Sequence, residues 1–185
     1  MFKSLLKKIA QILDRYGIPY MVIGGQALLI YGEPRLTKDI DITLGVVIEE
    51  LGKVKNAIED IGLKKLVDNA KDFVKKTMVL PVINEDSGIR VDFIFSFSPY
   101  ERQAIARSRN VSLGRRCVQY ASLEGLVIHK VIAGRARDIE DLKSILLKNP
   151  NYDAEYITQW LSEFDNALNE KYLKTFTTIV EEMEK

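Results

Sequence analysis

The chain has 185 residues, of which 46% are hydrophobic, and it carries 27 basic and 26 acidic side chains. This length fits one domain, or one domain with a helical appendage, and the apolar fraction is enough to build a core. The net charge of +1 excludes a globally basic nucleic-acid binder, so any RNA contact must come from a local patch.

Cysteine content and hydropathy bear on the compartment. The single cysteine, Cys117, excludes a disulfide within the chain, and no apolar run approaches the ~20 residues of a membrane-spanning helix. The N-terminus mixes lysines with apolar residues, unlike a signal peptide. We therefore expect a cytoplasmic protein without membrane contact. Its oligomeric state stays open, because the apolar C-terminal helices could cap the domain or pair with a second copy.

The N-terminal elements lead to a glycine pair. Helical spacing of apolar residues over 2–13 predicts an amphipathic helix, and the apolar run 20–23 predicts a buried strand. Gly24 and Gly25 follow directly and open a second helix, 26–31. Glycines at this place let a phosphate approach the amides of a helix N-terminus, and a tight turn without a ligand is the alternative.

Two aspartates lie in the next predicted strand, 35–44. Side chains alternate along a strand, so Asp39 and Asp41 point to the same side, about 6.5–7 Å apart. Carboxylates at that spacing can share a divalent cation and would otherwise repel each other. Arg35 and Lys38 add positive charge where an anionic substrate would need it.

The middle of the chain supplies another carboxylate. The pattern predicts a helix, a short strand and a two-stranded hairpin, over residues 47–61, 63–67, 77–83 and 89–95 respectively. The segment 68–76 fits either a loop or one helical turn. Asp92 falls between Val91 and Phe93, on the opposite face of the last strand. It is therefore a candidate functional residue, with an exposed position on a half-solvated hairpin as the alternative.

The C-terminal part is basic and then helical. A helix over 99–107, capped by Ser98, and an edge strand over 117–120 are predicted. The arginines of this region form either a patch for triphosphate or RNA backbone or a solvated surface; they are Arg102, Arg107, Arg109, Arg115 and Arg116. Ser122 caps a helix over 123–136, and an apolar helix pair ends the chain.

The helix over 123–136 and the residues after it carry further charged side chains. His129 has no partners for a zinc site, which needs three or four ligands, so we interpret it as packed or solvated. Asp138 and Asp141 are three residues apart and share a helical face, which also fits a helix pair joined by surface ion pairs.

The glycine pair 24–25 followed by Asp39-Ile40-Asp41 resembles the signature of the DNA polymerase β-like nucleotidyltransferases. Its form, with arginine at 35 and threonine at 37, is similar to the minimal and the type IV toxin or abortive-infection nucleotidyltransferases. A second signature of that branch matches Ser122, Glu124, Lys130, Arg135, Arg137, Asp138, Asp141 and Leu142. The resemblance covers roughly residues 20 to 145.

This resemblance implies an α/β (α+β) nucleotidyltransferase fold, with a small mixed β-sheet flanked by helices. Residues 1–120 would form the α/β core, and 121–185 a C-terminal helical extension packed on it. The implied activity is metal-dependent transfer of a nucleoside monophosphate from an NTP to an acceptor hydroxyl. The acceptor would be RNA, a protein or a small molecule.

The resemblance also assigns residues. Asp39, Asp41 and Asp92 would be catalytic and hold two Mg²⁺ ions, with Mn²⁺ as an alternative. The nucleotide would be bound by Gly24, Gly25, Arg35, Thr37, Lys38 and Lys130, with Asp141 in a structural role. Many catalytic members have serine where this chain has Gly25, so phosphate binding would rest on backbone amides and Lys130.

Two other functions fit the same pattern. One is a toxin-like protein that acts with an antitoxin partner. The other is a catalytically silent module that binds nucleotides and regulates a protein partner. The presence of all three carboxylates argues against the silent module, because a protein that had lost catalysis would not need to retain them.

Overall fold

The computed structural model describes residues 1–34, 36–96 and 98–183. The strands in these residues are β1 (Tyr20–Ile23), β2 (Asp39–Leu44), β3 (Lys64–Lys65), β4 (Val79–Asn84), β5 (Ile89–Phe95), β6 (Arg109–Leu113) and β7 (Arg116–Tyr120). They form one sheet in the order β3-β4-β5-β2-β1-β7-β6. The sheet is mixed, because β2–β5 and β1–β7 are parallel pairs and the other pairs are antiparallel.

The described helices are α1 (Phe2–Arg15), α2 (Gly24–Tyr31), α3 (Leu51–Ile61), α4 (Ala70–Thr77), α5 (Pro99–Ala106), α6 (Leu123–Ala133), α7 (Ala136–Lys148), α8 (Ala154–Leu168) and α9 (Tyr172–Met183). The mixed sheet with flanking helices confirms the predicted fold class. The contacts divide the chain into two compact units, Met1–Gln26 with Leu36–Ala121, and Ala27–Arg35 with Ser122–Lys185. The predicted boundary between 120 and 121 stays a prediction.

The first unit has its core around the parallel pair β2 and β5. The core-facing side chains of these strands are fully buried; they include Ile40, Ile42, Val91 and Phe93. The alternate residues of β5, among them Asp92, are only partly buried or exposed. The predicted alternation is therefore confirmed. Apolar side chains are buried on one face of the strand, whereas the charged side chains on the other face stay in contact with water.

One prediction for the first unit is wrong, and one strand was missed. The strand predicted at the sheet edge, β7, lies between β1 and β6, because β6 pairs with it as the second arm of a hairpin. The strand β6 was not predicted, because its exposed and half-exposed side chains show no apolar alternation. The ambiguous segment 68–76 is mostly helix α4, whose cap Asn69 accepts a hydrogen bond from the Asp72 amide at 3.2 Å.

The second unit is helical. The helix predicted over 123–136 ends at Ala133, because Gly134 adopts a left-handed conformation (φ 59°) that ends α6 before α7 begins. The predicted cap is confirmed, since the Ser122 hydroxyl accepts a hydrogen bond from the Gly125 amide at 3.1 Å. Within the described part of the chain, none of the helices combines the length and apolar content needed to cross a bilayer.

Candidate active site

The strand register brings two of the predicted carboxylates side by side. In the parallel pair of β2 and β5, Asp41 is the partner of Asp92, and Asp39 is the partner of Arg90. Register partners on neighbouring strands lie about 4.8 Å apart and project to the same face. Asp39 is on that face too, two residues before Asp41. Three carboxylates from two strands therefore share one face of the sheet.

An arginine without a predicted role contacts this group. Arg90 Nε donates a hydrogen bond to Asp92 Oδ1 at 3.0 Å, and the Asp92 side chain is 19% exposed. Arg90 precedes Asp92 by two residues on the same strand face, a spacing that could have suggested the pair. In the ranges described above, no three histidine, cysteine or acidic side chains are grouped as a metal site.

Gly24 is where the chain passes closest to Asp41. It begins α2 with a φ of +62°, and a Cβ built on it would overlap the Asp41 carboxylate and lie 3.1 Å from Asp41 Cγ. A side chain is therefore disfavoured both by the left-handed backbone and by the carboxylate. The glycine thus lets the start of α2 lie directly against Asp41.

Gly25 allows a second close approach, to Thr37. A Cβ on Gly25 would overlap the Thr37 methyl group and lie 3.1 Å from Thr37 Cβ. The buried Gln26 amide nitrogen donates to Thr37 Oγ1 at 2.7 Å. Gln26 was not predicted to matter, although it is the one polar side chain of α2 between the glycines and Tyr31. These contacts fix the segment just before β2 against the beginning of α2.

A pair of glycine variants separates backbone strain from steric overlap. Gly88 has a φ of +68° but nothing within 4 Å of an added Cβ, so Gly88→Ala should cost about 1–2 kcal/mol of unfolding free energy. Gly24→Ala has the same backbone penalty and also displaces Asp41, so we expect a further loss of about 1–3 kcal/mol. Urea titrations of both variants measure the difference. Equal losses would show that Gly24 does not pack against Asp41.

The remaining predicted binding residues divide by exposure. Arg35 lies outside the described residues. Lys38 and Asp39 are exposed, whereas Thr37 is buried at 9% exposure. Lys38 therefore keeps a solvent-facing charge next to the carboxylates of β2, and Thr37 supports the backbone.

Lys130, in the second unit, has a buried environment of its own. Its ammonium donates to Asp138 Oδ1 and to Asp141 Oδ2, each at 2.7 Å, and its side chain is 6% exposed. Burial by itself would raise the pKa of Asp138, but the hydrogen bonds from Arg135 and Lys130 outweigh it and hold that pKa below its usual range. These contacts favour a structural role for Lys130. Its predicted contact with nucleotide phosphates stays a prediction.

His129 should make stability depend on pH. Burial lowers its pKa to about 4, below the ordinary value of 6.5. Above pH 6.5 the imidazole is neutral in both the folded and the unfolded state, so it has no effect. Between pH 6.5 and 4 only the unfolded chain takes up the proton, and stability is lost as the pH falls, by up to about 3 kcal/mol.

Urea titrations across this pH range test the assignment. The variant His129→Gln should lose less stability between pH 6.5 and 4 than the natural chain, because glutamine does not titrate. If the free energy of unfolding depended on pH in the same way for both proteins, the imidazole of His129 would be solvent-exposed instead of buried.

The strand order and helices described above define a nucleotidyltransferase fold, to judge from solved structures of similar shape. The antibiotic-resistance factor ANT(2'')-Ia matches with a TM-score of 0.58 at 16% identity, over 90% of this chain and 92% of that one. An antigenic nucleotidyltransferase-like protein from Paracoccidioides brasiliensis matches with a TM-score of 0.56 at 17% identity, over 93% and 91%. The lincosamide antibiotic adenylyltransferase LnuA matches with a TM-score of 0.52 at 20% identity, over 77% and 94%.

The chain itself belongs to the family described as "Nucleotidyltransferase of unknown function (DUF6036)", which it matches over residues 1–185. None of the curated proteins matches it. The resemblance seen in the sequence is therefore confirmed for the nucleotidyltransferase class, and the minimal or toxin-type subtype stays a proposal.

Proposed function

We propose that this protein transfers a nucleoside monophosphate from an NTP to a hydroxyl group of an acceptor. The observation that carries the proposal is the parallel register that sets Asp41 beside Asp92, with Asp39 on the same face. Family membership supports the reaction class. In this reaction the acceptor hydroxyl gives its proton to solvent and its oxygen bonds to the α-phosphorus. The bond from that phosphorus to the oxygen bridging to the β-phosphate breaks, and pyrophosphate leaves with the electron pair.

The three aspartates are the proposed metal ligands. Mg²⁺ prefers carboxylate oxygens, and Asp39, Asp41 and Asp92 supply such atoms from two adjacent strands. The donor chemistry therefore fits, although the three side chains would have to turn toward one another, since they are not grouped as a metal site in the described residues. When bound, two such ions would screen the phosphate charge and lower the pKa of the acceptor hydroxyl. Asp92 would hold a metal ion through an oxygen lone pair that does not accept from Arg90, or in place of that hydrogen bond.

The nucleotide would be held by groups around the carboxylates. The amides at the start of α2, at Gly24 and Gly25, are donors for phosphate oxygens, because a helix N-terminus attracts anions. Lys38, which is exposed, and Arg35 would offset the charge that develops on pyrophosphate. Thr37 would act by holding this segment against α2.

The acceptor is the finer part of the proposal. ANT(2'')-Ia has been solved in complex with adenylyl-2''-tobramycin and LnuA with lincomycin bound, which supports a small-molecule hydroxyl as one acceptor class. The resemblance to toxin-type relatives supports RNA or a protein, and with it a toxin that has an antitoxin partner in the cytoplasm. Growth arrest on expression, relieved by a neighbouring gene, would be the sign of that role.

The deciding experiment follows label from NTP to product. The protein is incubated with each α-³²P-labelled NTP and Mg²⁺ or Mn²⁺, together with cellular RNA, cellular protein or hydroxylated antibiotics. We expect label in one acceptor class, dependent on the metal and accompanied by pyrophosphate. Release of pyrophosphate without labelled acceptor would contradict transfer.

The ion pair at Asp92 favours one second function, a silent nucleotide-binding module acting through a protein partner. Arg90 forms an ion pair with Asp92 and so partly neutralises the third carboxylate. A module that only binds nucleotides would have no need to break this ion pair. Calorimetric NTP binding with no product in any acceptor class would support this function.

A further inference from the structure

A second concave site lies in the first unit between α3 and α4, on elements that carry none of the predicted catalytic residues. The groove has a volume of about 430 Å³, within the range of small-molecule pockets. Leu51 and Val74 line it and are largely buried, at 8% and 0% exposure. They form the buried floor of the groove, whereas Ile48, which also lines it, is half-buried and offers apolar surface to a ligand.

Positive charge surrounds this groove. Lys55 of α3 and Lys71 and Lys75 of α4 line it, together with a single acidic residue, Glu49. Among the residues that the structure describes, none of the three lysines has an ion-pair or hydrogen-bond partner. Lys71 and Lys75 are also four residues apart on one helix, a like-charge spacing that costs about 0.2–0.5 kcal/mol. A bound anion would relieve this small repulsion.

Gly52 leaves one part of the groove lining without a side chain. It lies in the first turn of α3, where its φ is not left-handed and an added Cβ would have nothing within 4 Å. A helical glycine is less favourable than alanine by up to about 1 kcal/mol, so no local packing explains it here. Gly52 lines the groove, and any side chain at this place would project into free space there.

We propose that this groove binds an organic anion that carries two or more negative charges on an apolar body. The lysine ammonium groups would neutralise the charges, since ionic hydrogen bonds are the strong ones. Ile48 would contact the apolar part. Such a ligand would bind outside the proposed catalytic site. It would act there as an effector, or as part of a substrate that extends beyond the catalytic site.

Pyrenetetrasulfonate is a suitable probe, because it is a fluorescent flat ring that carries several sulfonates. We expect its fluorescence anisotropy to rise on binding the full-length protein at moderate salt. Lys75→Glu should weaken the affinity about tenfold, whereas Lys76→Glu should change it less than about twofold. The two lysines are adjacent in the last turn of α4, but only Lys75 lines the groove.

Two further variants test the shape of the groove and the location of its charge. Gly52→Leu fills the groove without changing any charge, and we expect it to weaken binding about tenfold. Lys7→Glu removes charge from a different basic groove, lined by Lys7, Lys8, Arg115 and Arg116, and should leave the affinity within about twofold. Circular dichroism of each variant confirms that it is folded.

The proposal fails under several results. Equal affinities for Lys75→Glu and Lys76→Glu would mean that only net charge matters. Unchanged binding by Gly52→Leu would place the probe elsewhere, and tight binding of uncharged pyrenemethanol would remove the role of the lysines. No anisotropy change at millimolar protein concentration would show that the groove takes no such anion.

Discussion

Replacing Asp41 by asparagine is expected to slow nucleotide transfer about 10²- to 10³-fold while the protein stays folded. Asparagine has nearly the same shape but no negative charge, so the proposed cation site that Asp41 forms with Asp92 would bind a divalent cation more weakly. Loss of one such electrostatic group costs about 10²- to 10³-fold in rate. The labelled-NTP assay, run with the acceptor found for the natural chain, measures the effect. Asp39→Asn and Asp92→Asn should give losses of the same order.

Stability provides the control for this variant. Asp41 and Asp92 are neighbouring like charges, so removing one of them should not lower the free energy of unfolding by more than about 0.5–1 kcal/mol. Asp86→Asn, the same chemical change in the exposed turn before β5, should leave both rate and stability unchanged. Full activity in Asp41→Asn would show that this carboxylate takes no part in the reaction. The proposed mechanism would then be wrong, although the chain would still belong to the family.

Replacing Lys130 by methionine is expected to destabilise the protein by about 3–5 kcal/mol. The substitution leaves the buried carboxylates of Asp138 and Asp141 without the ammonium that both contact at 2.7 Å. Asp138 keeps Arg135, but Asp141 is 8% exposed and loses a charged partner. Urea titration measures the loss, and adding Asp141→Asn to Lys130→Met should recover part of it.

An exposed ion pair gives the matched comparison. Lys143 contacts Glu182 at 3.0 Å, but both side chains are exposed, so Lys143→Met should cost less than about 1 kcal/mol. The same variants also separate the two roles of Lys130. If Lys130→Met keeps its stability and loses NTP affinity, the lysine contacts the nucleotide and the structural role is wrong.

Local sequence patterns predicted much of the first unit. Period-two alternation in 89–95 placed Asp92 on the face opposite the core, and the structure confirms this alternation. The same reasoning missed β6, because its side chains stay near water and the strand depends on backbone pairing with β7. The burial of β7 between two strands likewise follows from a parallel contact with β1, which no short segment can reveal.

The second unit shows the same limit for charges. Lys130, Asp138 and Asp141 looked like the charges of a surface helix pair or of a phosphate site, since their types and spacing fit both. The turn at Gly134 brings α6 and α7 together so that these charges meet in a buried network. The spacing of the charged residues alone does not predict that turn, although a glycine near the end of a helix indicates one.

The amino-acid sequence by itself determined the class of this protein, the candidate carboxylates and which faces of their strands they occupy, because alternation and local signatures depend only on neighbouring residues. Only the tertiary structure decided that Asp41 lies beside Asp92, that Gly24 and Gly25 are needed for contacts with Asp41 and Thr37, and that Lys130 is buried. The physical reason is that each of these contacts joins residues of different strands, helices or loops, so their register and burial follow from how those elements pack.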